Sequence, residues 1–133
     1  MIAVDTNILV RYLIKDDPEQ TVKATDFLAK NRCFILKSVL IEVAWVLSSV
    51  VGYNLLRENV HERLLHVLGL PSVETEDATD VAQALAWYAK GMDFADALHL
   101  ACSSELSGFA TFDKKFATTA KKLQSIPPVI LLR

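Results

Sequence analysis

Apolar and polar positions along the 133 residues follow two alternating periods. Short apolar runs at Ile2 to Val4, Cys33 to Leu36, Val73 to Thr75, Gly108 to Thr111 and Val129 to Leu132 read as strands. Between them, apolar residues recur at three- and four-residue spacing, the mark of helices with one buried stripe. One helix follows the first strand directly and runs through Ile14. A second opens at Asp17-Pro18-Glu19-Gln20, where Asp17 can cap, Pro18 suits the first turn and Gln20 completes a capping box. Ser38 can cap a third that runs to about Val51 and stops at Gly52. Val60, Leu64, Val67 and Leu68 form the stripe of a fourth, ended by Pro71. Val81, Leu85 and Tyr88 mark a fifth, from near Asp77 to Lys90, with Gly91 placed to terminate it. The segment Phe94 to Leu106 reads as a nearly all-apolar helix, and Ile126-Pro127-Pro128-Val129 as an edge strand entered through prolines.

Strands alternating with helices predict an α/β fold with a mainly parallel sheet. No repeat, low-complexity tract or linker interrupts the pattern, so residues 1–133 are expected to form a single domain. A hydrophobic fraction of 52% and a mean hydropathy of +0.28 imply helices covered on more than one face, by layers or by a second subunit.

The longest apolar stretch, Val39 to Val51, is broken by Glu42 and Ser48-Ser49 and falls short of the roughly 20 residues of a bilayer span. No membrane segment is expected. The start, Met1-Ile2-Ala3-Val4-Asp5, carries no basic leader or apolar signal core, which suits a cytoplasmic protein. Cys33 and Cys102 read as small core residues of a reducing compartment rather than as a disulfide or metal ligands. With 14 basic and 16 acidic residues the net charge is −2, so any basic footprint must be local.

The chemistry worth weighing is acidic. Ligands of open parallel sheets collect at the carboxyl edge of the strands. Asp5 ends the first strand and Asp113 follows the fourth; if those strands are neighbours, the two side chains share a crevice. Glu42 lies early in the helix after the second strand and can face the same edge. Asp96 sits in the apolar run Phe94-Ala95-Asp96-Ala97-Leu98, where a carboxylate needs a partner. Four such acids repel one another, and a divalent cation offsets the repulsion. Oxygen ligands without clustered His or Cys favour Mg²⁺ or Mn²⁺ over zinc. A cation of that kind can activate water for in-line attack on a phosphodiester.

Each acid also has a structural role open to it. Asp5, Asp93 and Asp113 occupy capping positions, and Asp96 suits a first helical turn. Glu42 resists that account, because Val39, Leu40, Ile41, Val43, Ala44 and Trp45 surround it, leaving only a buried ion pair.

Together these residues resemble the PIN-domain family, in particular its VapC-type ribonuclease toxins. The resemblance rests on Val4-Asp5-Thr6-Asn7, on Glu42 in an apolar helix, on Asp93-Phe94-Ala95-Asp96-Ala97-Leu98 and on Thr111-Phe112-Asp113, in the family's order along the whole chain. It implies a three-layer α/β/α sandwich whose mainly parallel sheet has about five strands. It assigns metal ligation to Asp5 and Asp96, with Glu42 and Asp113 completing the catalytic site directly or through water. Asp93 matches an accessory acid, and Thr6, Asn7 and Thr111 match supporting polar positions. The resemblance further implies an Mg²⁺- or Mn²⁺-dependent endoribonuclease, a homodimer and a small cognate antitoxin.

Arg11 and Lys15 on the first helix, with Lys114, Lys115, Lys121 and Lys122 after Asp113, could hold RNA phosphates or form solvated basic faces. Trp45 and Trp87 read as core or dimer anchors, His99 as a core histidine, and His61 and His66 as surface or flank positions. Two other functions compete. An aspartate-based phosphotransfer domain would also place acids at the carboxyl edge, but it leaves Glu42 and Asp96 unexplained. An inactive PIN-like module binding RNA or protein would not need the intact acid set.

Overall fold

The computed structural model describes residues 1–133. The chain is α/β, with seven helices and five short strands, every pairing of which is parallel. It divides into two compact units, Met1–Ala78 and Thr79–Arg133.

The first unit runs β1 (Ile2–Ala3), α1 (Thr6–Ile14), α2 (Pro18–Lys30), β2 (Cys33–Ile35), α3 (Lys37–Ser48), α4 (Arg57–Leu68) and β3 (Val73–Thr75). Its sheet has the order β1-β2-β3, with Ile2 opposite Cys33 and Phe34 opposite Glu74. Helix α1 packs against α2, α3 and α4, and α3 against α4. Leu9, Leu28, Ile35, Leu40, Leu47 and Leu64 are fully buried there, each contributing about 2 kcal/mol of transfer free energy. The α3–α4 connection depends on Gly52, because a Cβ there would lie 2.1 Å from the Val46 carbonyl oxygen.

The second unit begins in the first turn of α5 (Ala78–Ala89) and continues through α6 (Phe94–Ala101), β4 (Phe109–Thr111), α7 (Lys114–Lys122) and β5 (Val129–Leu131). Strand β5 pairs with β4, and α7 packs on both. Phe109 of β4 meets Phe116 of α7 edge-on at 5.6 Å, and Tyr88 meets Phe94 in the same way at 5.8 Å. The hydrogen-bonded partner of β1 is therefore β2, and that of β4 is β5.

Four expectations change. Helix α6 stops at Ala101 rather than Leu106, and Leu106 is exposed. Cys102, expected in the core, is exposed at that helix end, whereas Cys33 is buried. Ser38 does not cap α3; Leu36 holds the capping position with no side-chain bond, and the helix ends at Ser48. Asp17 caps α2 by accepting the Gln20 N–H at 3.0 Å, but the Gln20 side chain does not close the box, because its Oε1 accepts from Arg11 instead. No helix is long and apolar enough to cross a membrane.

Candidate active site

Parallel strands end at a common edge, so the residues that follow β1, β2 and β3 gather on one side of the first unit. Asp5 follows β1 and caps α1; it is exposed, and its Oδ1 accepts the Thr6 N–H at 2.7 Å. Asn7 is exposed beside it, while the Thr6 hydroxyl oxygen is buried with no hydrogen-bond partner.

Helix α3 opens directly after β2, and its start is fixed by the segment after β3. Glu76 accepts the Lys37 N–H with Oε1 at 2.9 Å, donates its own N–H to the Ile35 carbonyl at 2.9 Å, and is followed by Asp77, which pairs with the Lys37 ammonium. A carboxylate at that N–H also suits the positive end of the helix dipole. Sequence reasoning missed Glu76, although an acid placed just beyond a strand was the available signal. Glu42 lies five residues into α3, about 7.5 Å along its axis. It is exposed, not buried among its apolar sequence neighbours, because Leu40, Val43, Ala44 and Leu47 occupy the opposite face. A buried structural ion pair is thereby removed as its explanation.

Arg11 is engaged locally. Its Nε donates to Gln20 Oε1 at 2.6 Å and its guanidinium pairs with Asp16 at 3.1 Å. The Tyr53 hydroxyl donates to Asp16 at 2.8 Å, a bond that holds the Asp16 carboxyl below its ordinary range and raises the Tyr53 phenol. Lys15, at a left-handed φ of 62°, places its ammonium 5.3 Å from the Tyr12 ring centre.

In the second unit, Asp93 caps α6 by accepting the Asp96 N–H at 3.1 Å. Asp113 caps α7, accepting the Phe116 N–H at 3.0 Å, and its own N–H donates to the Thr111 hydroxyl at 3.0 Å. Both capping roles read from the sequence are therefore real, and each holds its carboxyl at the start of a helix. Asp96 is half-buried; burial pushes its carboxyl above the ordinary range, nearby Asp93 and Asp113 push it the same way, and His99 pulls it back. The structure thus brings Asp93, Asp96 and Asp113 into one electrostatic neighbourhood. His99 is exposed, not a core residue, and Lys114 and Lys115 are exposed beside Asp113.

A match to the PIN domain extends over residues 2–122. The chain belongs to the PIN-domain family. The PIN domain is a fold of metal-dependent nucleases, and the match takes in Asp5, Glu42, Asp93, Asp96 and Asp113. No curated protein matches the chain.

Whether this PIN domain suits a cation can be judged from its donors. None of those five acids forms a salt bridge. Carboxylate oxygens and the partnerless Thr6 hydroxyl make an all-oxygen set, which favours a hard divalent ion. No group of three or more His, Cys, Asp or Glu side chains is arranged so as to hold a metal ion. The donor chemistry fits a divalent cation.

Proposed function

We propose that this PIN-domain chain is an Mg²⁺- or Mn²⁺-dependent endoribonuclease of the VapC type, and the toxin of a toxin–antitoxin pair. The observation that carries the reading is Asp96, an acid raised by burial and by two neighbouring acids, opposed only by His99 and held in no salt bridge. A carboxylate left in that state costs free energy that a bound divalent ion offsets. In this reading Asp5 and Asp96 are the principal ligands, and Glu42 and Asp113 act directly or through water.

When bound, the ion would activate water and neutralise charge on the scissile phosphate. The chain's own contribution is positioning. Asp93 fixes the first turn of α6 and with it the Asp96 backbone, while Thr111 and the α7 cap fix Asp113. Glu76 anchors the start of the helix that carries Glu42. Lys114 and Lys115, exposed and outside any salt bridge, are suited to phosphates; Arg11 and Lys15 are held in local contacts. Exposure of Trp45 (59%), Val50 (81%) and Val51 (79%) supports a homodimer.

The test is cleavage of structured RNA by the purified chain. Cleavage with Mg²⁺ or Mn²⁺ should stop in EDTA and in Asp5→Asn or Asp96→Asn protein; persistence in a folded Asp5→Asn variant overturns the mechanism. The toxin role has its own test. Expression of the chain alone should arrest growth and a co-expressed small partner should relieve it, and no arrest despite active protein removes that part.

A further inference from the structure

A groove of about 580 Å³ runs along the second unit between α7 and β5. Lys114, Thr118 and Lys121 project into it from one face of α7, and Gln124, Ser125 and Arg133 line it beyond that helix. No acidic side chain lines it, and none of its three cationic side chains takes part in a salt bridge. The concentration of charge is specific to this part of the chain: residues 106–133 contain five Lys or Arg and a single acid, Asp113, in a protein whose net charge is −2.

The groove is built rather than incidental. Gln124 sits at φ 54°, in the left-handed region, just past the α7 cap at Leu123. Its N–H donates to the Lys121 carbonyl at 3.1 Å and the Ser125 N–H to the Ala120 carbonyl at 3.0 Å, the paired bonds of a Schellman ending. Those bonds fold the chain back from the α7 end toward β5 and satisfy two carbonyls of the last helical turn. The floor is Ala117, Ala120, Pro128, Val129 and Leu131, with no aromatic side chain.

We infer that this groove binds the phosphate backbone of single-stranded RNA running away from the Asp113 end of α7, on the side of the substrate that is not cut. The inference rests on the ribonuclease reading for its occupant. Lys114 directly follows Asp113, and Lys121 lies seven residues on, about 10.5 Å farther along the same helix face. A row of cations leading from an acidic centre suits a chain of phosphates better than one small anion. Hydroxyl and amide groups at Thr118, Ser125 and Gln124 add neutral donors to phosphate oxygens. Lacking a stacking platform, the groove holds backbone and does not read bases.

The experiment measures binding without cleavage. The full chain in EDTA is titrated into a labelled, unstructured oligoribonucleotide across a salt series, in wild-type form, as Lys114→Gln/Lys121→Gln, and as Lys30→Gln. Lys30 is an exposed lysine paired with Asp26 in the other unit and serves as the control. The double variant should bind at least about 10-fold more weakly at 0.1 M salt, and its log–log salt slope should shrink by about 1.4, at about 0.7 per lost phosphate contact. Lys30→Gln should match wild type.

An unchanged affinity and slope in the double variant overturns the groove, even if metal-dependent RNA cleavage is intact. Groove-dependent RNA binding by a chain that cleaves no RNA keeps the groove and removes the ribonuclease reading. A polyglutamate peptide of equal charge that outcompetes the RNA removes RNA as the occupant. Because Lys114 and Lys121 are exposed, thermal melts of the variants should overlay wild type, and this check separates lost contact from lost fold.

Discussion

Asp93 accepts the amide hydrogen of Asp96 at 3.1 Å, so the acid that fixes the first turn of α6 is also one of the charges that raise the Asp96 carboxyl. Positioning and repulsion come from the same side chain. An acid whose folded-state pKa is raised holds its proton to higher pH in the folded chain than in the unfolded one. Its contribution therefore favours the fold at acid pH and is lost as pH rises from the ordinary carboxylate range through the raised value. At neutral pH without metal, Asp96→Asn should melt higher than wild type, and at acid pH the difference should shrink. Mg²⁺ should raise the wild-type melting temperature at neutral pH and leave Asp96→Asn unmoved. Scanning fluorimetry across pH reads both, and a variant stabilised by Mg²⁺ as strongly as wild type would count against Asp96 as a ligand.

Asp113 combines a cap with a charge, and two substitutions separate them. Asp113→Ala removes the bond to the Phe116 amide and should cost about 1 kcal/mol of stability. Asp113→Ser keeps a capping oxygen and should hold stability within about 0.5 kcal/mol of wild type. Both should lower cleavage, and both should let the Asp96 carboxyl fall back toward its ordinary range, followed by carboxyl NMR.

Glu42→Gln is expected to leave stability within about 0.5 kcal/mol, as for other exposed positions, while lowering RNA cleavage by at least about 10-fold. A loss of several kcal/mol instead would return Glu42 to a structural role.

Gly52→Ala should destabilise the chain by about 1–3 kcal/mol, since the new methyl would meet the backbone oxygen of Val46 and neither can swing aside. Denaturant melts would show it.

Strands and helices were legible in the chain because each is short and amphipathic, and the five strand positions lie within a residue of those expected. The capping acids Asp17 and Asp113 were legible because a cap is a local event. What stayed hidden depends on direction or distance. Glu42 has apolar neighbours on both sides in sequence, yet a helix turns about 100° per residue and carries it to the opposite face from Leu40, Val43 and Leu47. The cap of α3 comes from Glu76, a residue one strand and one helix away; an acid just beyond β3 is visible in the sequence, but the helix it serves is not. His99 and Cys102 belong to an apolar run, but α6 closes after eight residues and leaves both exposed. Of the candidate acids, Asp93, Asp96 and Asp113 prove to share one neighbourhood, a relation that depended on how α6 and β4 fold together.

The β4–β5 ladder has a consequence in time. Phe109 donates to the Pro128 carbonyl, the Leu132 N–H donates to Thr111, and Thr111 in turn holds the backbone of Asp113. During synthesis β4 therefore emerges before the strand it pairs with, and the Thr111 backbone that leads into Asp113 gains its ladder bond only when residues 129–132 follow. The position of Asp113 is thus tied to a pairing between segments separated by the whole of α7, so loosening β5 should loosen this acid without touching it.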